Sequence, residues 1–301
     1  MATVPRTLAL CVVEARPLVL AVSLLRFMTG VALALPVAMA PAPLTILRGA
    51  AAWVLSIFAV YLFNGIADVT EDRINGAGRP IARGDLHPRE AGIVTAAAAF
   101  LALVAAVGLP LPMLLIIAAN LALGYLYSGS PLRLKGSAGG TVAVLCLSGL
   151  LSYLGGFVVA TAGASVPVPA ALIAFAAAAT GWMVLVGVPA KDLSDIAGDA
   201  AAGRRTFGVR VGERVSRCVM VAAAAGLCAA FGLAIQLLEV PLTGVFLAMV
   251  AGVAAVTVAG AFACAATTAG GPAGRRTRRR PYGAFMGTQH LVHLTALMSH
   301  I

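Results

Sequence analysis

The stretch KDLSDIAGDAAAGRRTFG, from Lys191 to Gly208, sets three Asp and three basic residues at the end of a long apolar run covering residues 169–190. That contrast decides the fold. The run is long enough to cross a bilayer as a helix, which takes roughly 20 apolar residues, and the charge begins where the run stops. Working outward, the same alternation recurs along the chain. Candidate spans fall at about 18–40, 43–66, 91–108, 112–128, 138–162, 169–190, 218–236, 241–266 and 283–299, nine in all. The runs are continuous rather than alternating, so helices are expected and a β-barrel is not.

Composition agrees with lipid as the solvent. Of 301 residues, 61% are hydrophobic and 11% charged, about half the charge of a soluble domain. The abundant Gly and Ala suit close helix packing in a membrane. No linker divides the chain, which reads as a single transmembrane domain over residues 1–301. The expected class is all-α, a polytopic membrane protein with nine transmembrane helices.

Basic residues set the expected orientation. All 21 Lys and Arg except Arg26, inside span one, and Arg48, near the opposite face, fall on one side of a nine-span arrangement. By the positive-inside rule that side is cytoplasmic, which puts the N-terminus and the long charged loops in the cytoplasm and the C-terminus outside. The net charge of +10, including RRTRRR (Arg275–Arg280), is accounted for by topology and contact with anionic lipid. No nucleic-acid partner is implied. TLALCVV near the N-terminus is too short to span and reads as an interfacial segment. Cys11, Cys146, Cys218, Cys228 and Cys264 lack metal or redox spacing and read as small apolar packing groups.

The acids are concentrated. Of six Asp, five lie in two places, and Asp85 follows the first of them. Asn64, Asp68 and Asp72 are spaced i, i+4, i+8, and Asp192, Asp195 and Asp199 are spaced i, i+3, i+7; on a helix each set shares one face. Both follow even-numbered spans, so both are expected on the cytoplasmic side, where they can meet across a bundle. Facing carboxylates repel unless a cation lies between them, and Mg²⁺ takes such oxygen ligands while sharing phosphate oxygens. Arg73, Arg79 and Arg83 follow the first set; Lys191, Arg204 and Arg205 flank the second. Carboxylates, a divalent metal and fixed cations together suit a bound diphosphate, whose developing charge must be neutralised before it can leave. A transporter would place its charges near the bilayer midplane, where only Arg26 approaches.

With these residues in view, the chain resembles the UbiA-type intramembrane prenyltransferases, a family with nine transmembrane helices and two Asp-rich motifs. Asn64, Asp68 and Asp72 match its first motif, N-D-x-x-D-x-x-x-D, with Gly65 where the family has Asp. Asp192, Asp195 and Asp199 match its second, D-x-x-D-x-x-x-D. The flanks INGAGRPIARGDL (Ile74–Leu86), YLYSGSPLRLKG (Tyr125–Gly136) and AGRRTFGVRVG (Ala202–Gly212) extend the likeness over nearly the whole chain.

The resemblance implies that Mg²⁺ held by Asn64, Asp68, Asp72, Asp192, Asp195 and Asp199 binds an isoprenyl diphosphate, whose tail lies in a lipid-lined cavity. Ionisation then gives an allylic carbocation, attacked by an aromatic or quinone-precursor acceptor. The alternative within the family is a terpene cyclase, which folds the cation onto itself. Gly65 removes one carboxylate, which implies a lost contact near the metal or acceptor rather than loss of the metal site. Tyr125, at the cytoplasmic end of span four, is a candidate to stabilise the cation or assist deprotonation. Arg26 is a candidate for the diphosphate or an acceptor carboxylate. Asn120, Ser148, Ser152 and Tyr153 are candidate cavity residues, Trp53 and Trp182 are cavity walls or interface anchors, Tyr127 reads as an interface tyrosine, and His290 and His293 read as structural.

Overall fold

The computed structural model describes residues 4–38, 42–74, 76–265 and 271–299, with the side chains of 262–265, 271–273 and 275 left aside. Cys264 and Arg275 therefore lie outside the described side chains. The described chain is helical, with one isolated bridge between Ser137 and Arg205. It divides into two compact units, one formed by residues 1–135 and 151–168, the other by residues 136–150 and 169–301.

The first unit holds α1 (Val4–Glu14), α2 (Pro17–Ala34), α3 (Pro43–Ala67), the short α4 (Val69–Ile74) and α5 (Pro80–Arg83), α6 (Pro88–Ala106), α7 (Leu111–Ser128) and the later part of α8 (Ala138–Ala160). Proline marks the helix starts: Pro17, Pro43, Pro80 and Pro88 each stand at the first position, where the missing N–H costs nothing and φ is already helical. Helix α3 is central, packing on α6 and α7. The backbones of α2 and α8 come so close that a Cβ on Gly30 would lie 2.9 Å from Tyr153 Cα, and one on Gly156 2.7 Å from Val31 N. Such approach is how helices associate in lipid, where no hydrophobic force drives them together.

Arg48, the one basic residue expected near the opposite face, has a local task. Its Nε donates to the Ala105 carbonyl at 2.9 Å and its Nη2 to that of Val107. It thereby satisfies backbone acceptors left open at the C-terminal end of α6 and adds charge that the helix dipole favours there.

The second unit holds the first part of α8, α9 (Ala170–Gly181), α10 (Val188–Ala201), α11 (Phe207–Leu237), α12 (Thr243–Ala265), α13 (Gly271–Arg278) and α14 (Arg280–Met298). A π-helical segment, Trp182–Gly187, joins α9 to α10. Pro189 lies just beyond it. Proline has no N–H for the carbonyl four residues back and its ring crowds that carbonyl; a widened turn is one way to take up the misfit. Helix α11 is broken at Gly212, whose φ of 78° is left-handed and suits glycine.

Among the described residues, eight of the nine expected spans are long and apolar enough to cross a membrane: Pro17–Val37, α3, α6, α7, α8, Ala170–Ala201, α11 and Thr243–Ala261. The ninth expected span forms α14, of 19 residues, but lies outside that set. Its run is interrupted by Thr288, Gln289, His290 and His293, several of them buried within the unit. Large apolar side chains such as Leu18, Leu44, Ile93, Phe100 and Leu111 remain exposed on the spans, as lipid-facing surfaces require.

Candidate functional site

The first Asp set lies wholly in the first unit. Helix α3 ends at Ala67, and Asp68 is its C-terminal cap. The chain re-enters helix at once in α4, and the i→i−4 bonds run through the junction: Asp68 N to Asn64 O at 2.9 Å and Asp72 N to Asp68 O at 2.8 Å. Asn64, Asp68 and Asp72 therefore keep helical spacing although two helices carry them. Asn64 Nδ2 donates to Asp68 Oδ2 at 2.8 Å. Ser128, at the end of α7, donates to Asn64 Oδ1 at 2.9 Å.

Two side chains absent from the sequence reading complete this set. Lys135 is buried, with Nζ 2.7 Å from Asp68 Oδ1 and 3.5 Å from Asn64 Oδ1. Glu14, at the end of α1, is 0% exposed and pairs with Arg79 at 2.7 Å. Arg79 in turn holds Asp72 Oδ2 at 2.6 Å. A signal for Lys135 was available. The chain has only two lysines among its 21 basic residues, and each contacts a motif Asp. Glu14 carried no such signal, because it stands fifty residues before the motif.

The other candidates of this unit are more dispersed. Arg73 Nε donates to the Ala82 carbonyl at 3.2 Å and Arg83 pairs with Asp85 at 2.6 Å, both at exposed positions. Tyr125 is 56% exposed; its hydroxyl donates to the Ser130 carbonyl at 3.1 Å and its ring stacks on Phe63 at 5.9 Å. Those contacts tie it to the loop after α7 rather than to the carboxylates. Arg26, half-buried in α2, hydrogen-bonds the buried Tyr153 hydroxyl. Asn120 donates to Ser56 at 3.1 Å in the buried α3–α7 seam, and Trp53 is buried with its indole on the Ser23 carbonyl. Cys11 is buried beside Glu14 and Glu90, and burial with those two charges pushes its thiol up to about 11. Its reactive thiolate form is thereby disfavoured.

The second set lies wholly in the second unit, with all three Asp on α10. Asp192 and Asp199 are buried. The segment Arg204–Gly208 folds back on the helix and supplies their partners: Gly208 N donates to Asp192 Oδ2 at 3.1 Å, Thr206 to Asp199 Oδ2 at 3.2 Å, and Arg204 pairs with Asp199 Oδ1 at 3.2 Å. Lys191 Nζ lies 3.1 Å from Asp195 Oδ2, and Ser194 donates to Asp195 Oδ1 at 3.0 Å. Arg205 contributes backbone instead, its N–H donating to the Gly136 carbonyl at 2.9 Å, with its side chain exposed. Gly208 suits the close approach, since a Cβ there would lie 2.9 Å from Asp192 Cβ. His293 is buried against the Gln289 carbonyl and edge-on to Phe175, and Trp182 is buried.

The donor set is all oxygen, which fits a hard divalent cation such as Mg²⁺. Among the described residues, no three His, Cys, Asp or Glu side chains are grouped to hold a metal; the motif carboxylates are matched to Lys, Arg, hydroxyls and backbone N–H. Fixed cations beside carboxylates are also what a metal-bound diphosphate would need for its remaining charge.

Residues 23–283 match the UbiA prenyltransferase family. This chain belongs to that family. Among solved structures, a UbiA homolog from Archaeoglobus fulgidus bound to GPP and Mg²⁺ superposes with a TM-score of 0.68 at 18% identity, covering 96% of this chain and 99% of that one. An apo UbiA homolog from Aeropyrum pernix K1 gives 0.67 at 18% identity, covering 93% and 98%. These likenesses establish a shared UbiA fold; the family and the eight apolar helices among the described residues make the chain an integral, multi-pass membrane protein. By sequence, the chain is 36% identical over 166 residues to a digeranylgeranylglyceryl phosphate synthase of Natronomonas pharaonis, covering 55% of this chain and 56% of the relative. It is 36% identical over 168 residues to the synthase of Halobacterium salinarum, covering 54% and 56%. The match thus spans about half the length of these curated relatives.

Proposed function

We propose that this UbiA-family protein is an Mg²⁺-dependent intramembrane prenyltransferase that takes an isoprenyl group from its diphosphate. The observation carrying the reading is that both Asp motifs are held by cations and N–H donors suited to a polyanion. Asn64, Asp68 and Asp72 in the first unit and Asp192, Asp195 and Asp199 in the second are the residues assigned to Mg²⁺. When bound, Mg²⁺ supplies charge neutralisation for the diphosphate leaving group. The chain's own work is binding and orientation. Lys135 and Arg79 fix Asp68 and Asp72, Arg204 and Thr206 fix Asp199, and the Gly208 N–H fixes Asp192. Arg73, Arg79, Arg83, Lys191, Arg204 and Arg205 are assigned to the diphosphate, Arg26 to the diphosphate or an acceptor carboxylate, and Tyr125 to the cation. The apolar spans shield the donor's hydrocarbon tail from water. By the distribution of basic residues, both motifs and the N-terminus face the cytoplasm.

The acceptor assigned from the sequence is an aromatic or quinone precursor. A second reading rests on the 36% identity to the two digeranylgeranylglyceryl phosphate synthases, whose name points to an isoprenyl-carrying glycerol phosphate. A third outcome, cyclisation without an acceptor, shares the same donor chemistry. The test is a product assay on protein purified in lipid, with Mg²⁺ and geranyl, farnesyl or geranylgeranyl diphosphate. Each donor is offered alone, with a phenolic acid, or with geranylgeranylglyceryl phosphate. Prenylation of one acceptor supports transfer and identifies its class; a cyclic hydrocarbon from donor alone makes the protein a cyclase. No diphosphate release from any donor would overturn the reading.

A further inference from the structure

Position 65 has no side chain, and the space one would fill is taken. A Cβ built on Gly65 would meet Glu14 Oε1, and would lie 2.6 Å from Arg79 Nη2 and 3.0 Å from Glu14 Cδ. Gly65 follows Asn64 and stands where the family motif has a carboxylate. What fills the space beside the backbone at 65 is thus another carboxylate, delivered from a different helix.

The delivery is specific. Helix α1 is anchored by Cys11, which packs with Leu62, Ile81, Leu86 and Ala91, and Glu14 lies one helical turn further on. Its Oε2 accepts from Ile81 N at 2.9 Å. Its Oε1 lies 2.7 Å from Arg79 Nη2, which also donates to the Glu14 carbonyl at 3.1 Å. The other arm of the same guanidinium reaches Asp72 Oδ2 at 2.6 Å. Glu14, Arg79 and Asp72 therefore form one chain of charge. A buried carboxylate is costly unless paired and hydrogen-bonded, and both conditions are met here.

We infer that Glu14 replaces, from α1, the carboxylate that position 65 lacks, and that it acts through Arg79 to hold Asp72 in place for the donor. This rests on the donor reading proposed above. Glu14 is a positioning residue, since no reacting group need touch it. Guanidinium forks lock carboxylates in a fixed geometry, so an Arg79 clamped between two of them orients the motif residue. The arrangement has a corollary: one carboxylate fits at this spot, rooted at position 14 or at position 65, but not both.

The test uses the full chain in detergent or lipid, as wild type, Glu14→Ala, Gly65→Asp, the double variant Glu14→Ala/Gly65→Asp, and Glu14→Gln. Two readouts are taken: the melting temperature with and without Mg²⁺ plus inorganic pyrophosphate, and KM and kcat for an isoprenyl diphosphate. Glu14→Ala is expected to lower the melting temperature and to raise KM by about tenfold, the usual cost of removing a group that orients a metal ligand. Gly65→Asp alone is expected to lower the melting temperature, because two carboxylates then compete for one space. The double variant should recover most of both losses. Glu14→Gln, which keeps the shape and loses the charge, should raise KM more than it lowers the melting temperature. A double variant no better than the worse single variant, or an unchanged KM in Glu14→Gln, would reduce Glu14 to a fold residue and overturn the inference. If wild type releases diphosphate from no donor, the donor reading alone falls. Recovery of the melting temperature, and of its shift with pyrophosphate, in the double variant still decides the exchange between positions 14 and 65.

Discussion

Lys135 Nζ lies 2.7 Å from Asp68 Oδ1, and both side chains are withdrawn from solvent. The other lysine of the chain, Lys191, pairs with Asp195. An ammonium is a compact, strongly hydrated point charge, so its burial at a motif carboxylate needs a partner. Removing one member of a buried pair leaves the other uncompensated, at about 3–5 kcal/mol. Lys135→Met is therefore expected to destabilise the protein by about that amount, read as a lowered denaturation midpoint in detergent. An unchanged midpoint would show that Asp68 does not depend on Lys135.

Gly208 sets how closely the segment after α10 approaches it. A Cβ there would lie 2.9 Å from Asp192 Cβ and 3.1 Å from Ile196 Cγ1. Gly208→Ala is expected to push the segment away and lengthen the N–H bond to Asp192, at a cost of about 1–3 kcal/mol typical of overpacking. The Mg²⁺ concentration for half-maximal turnover should rise with it. Wild-type melting and an unaltered Mg²⁺ titration would show that the contact relaxes without consequence.

Arg204 pairs with Asp199 from a partly buried position, whereas Arg83 pairs with Asp85 at the surface. Arg204→Ala should raise KM for the isoprenyl diphosphate by about tenfold, the scale for removal of an outer partner of a ligand. The surface pair between Arg83 and Asp85 contributes about 0–1 kcal/mol to stability, so Arg83→Ala should leave the melting temperature nearly unchanged. Steady-state kinetics and melting curves on both variants check the pair of expectations. A KM for Arg204→Ala equal to wild type would remove Arg204 from the site.

Much of the fold is legible because lipid imposes one rule on the whole chain: apolar runs of span length become helices. The runs at 43–66, 112–128 and 138–162 correspond closely to α3, α7 and α8. The π-helical turn at Trp182–Gly187 was not legible, because Pro189 announces a disturbance in the ladder without saying how it is relieved. Asn64, Asp68 and Asp72 were found by spacing, and that spacing survives a helix junction because the i→i−4 bonds continue across it. Their partners were harder. Glu14 reaches the motif from α1, and no local periodicity connects positions 14 and 65. Lys135 sits in the short turn Leu134–Gly136, and only the rarity of lysine in the chain marked it. The contacts of Tyr125 depend on how the loop after α7 turns back to Ser130, which helical spacing does not encode.

The proposed service of the motif carboxylates to a metal-bound isoprenyl diphosphate is tested most directly by inorganic diphosphate release from wild type, Asp68→Ala and Asp192→Ala, each with the competent donor and acceptor, in Mg²⁺ and in excess EDTA. Release is expected from wild type in Mg²⁺ only, and none from either variant, with both variants still inserted in the membrane. Full release by both variants, or by wild type in EDTA, would contradict it.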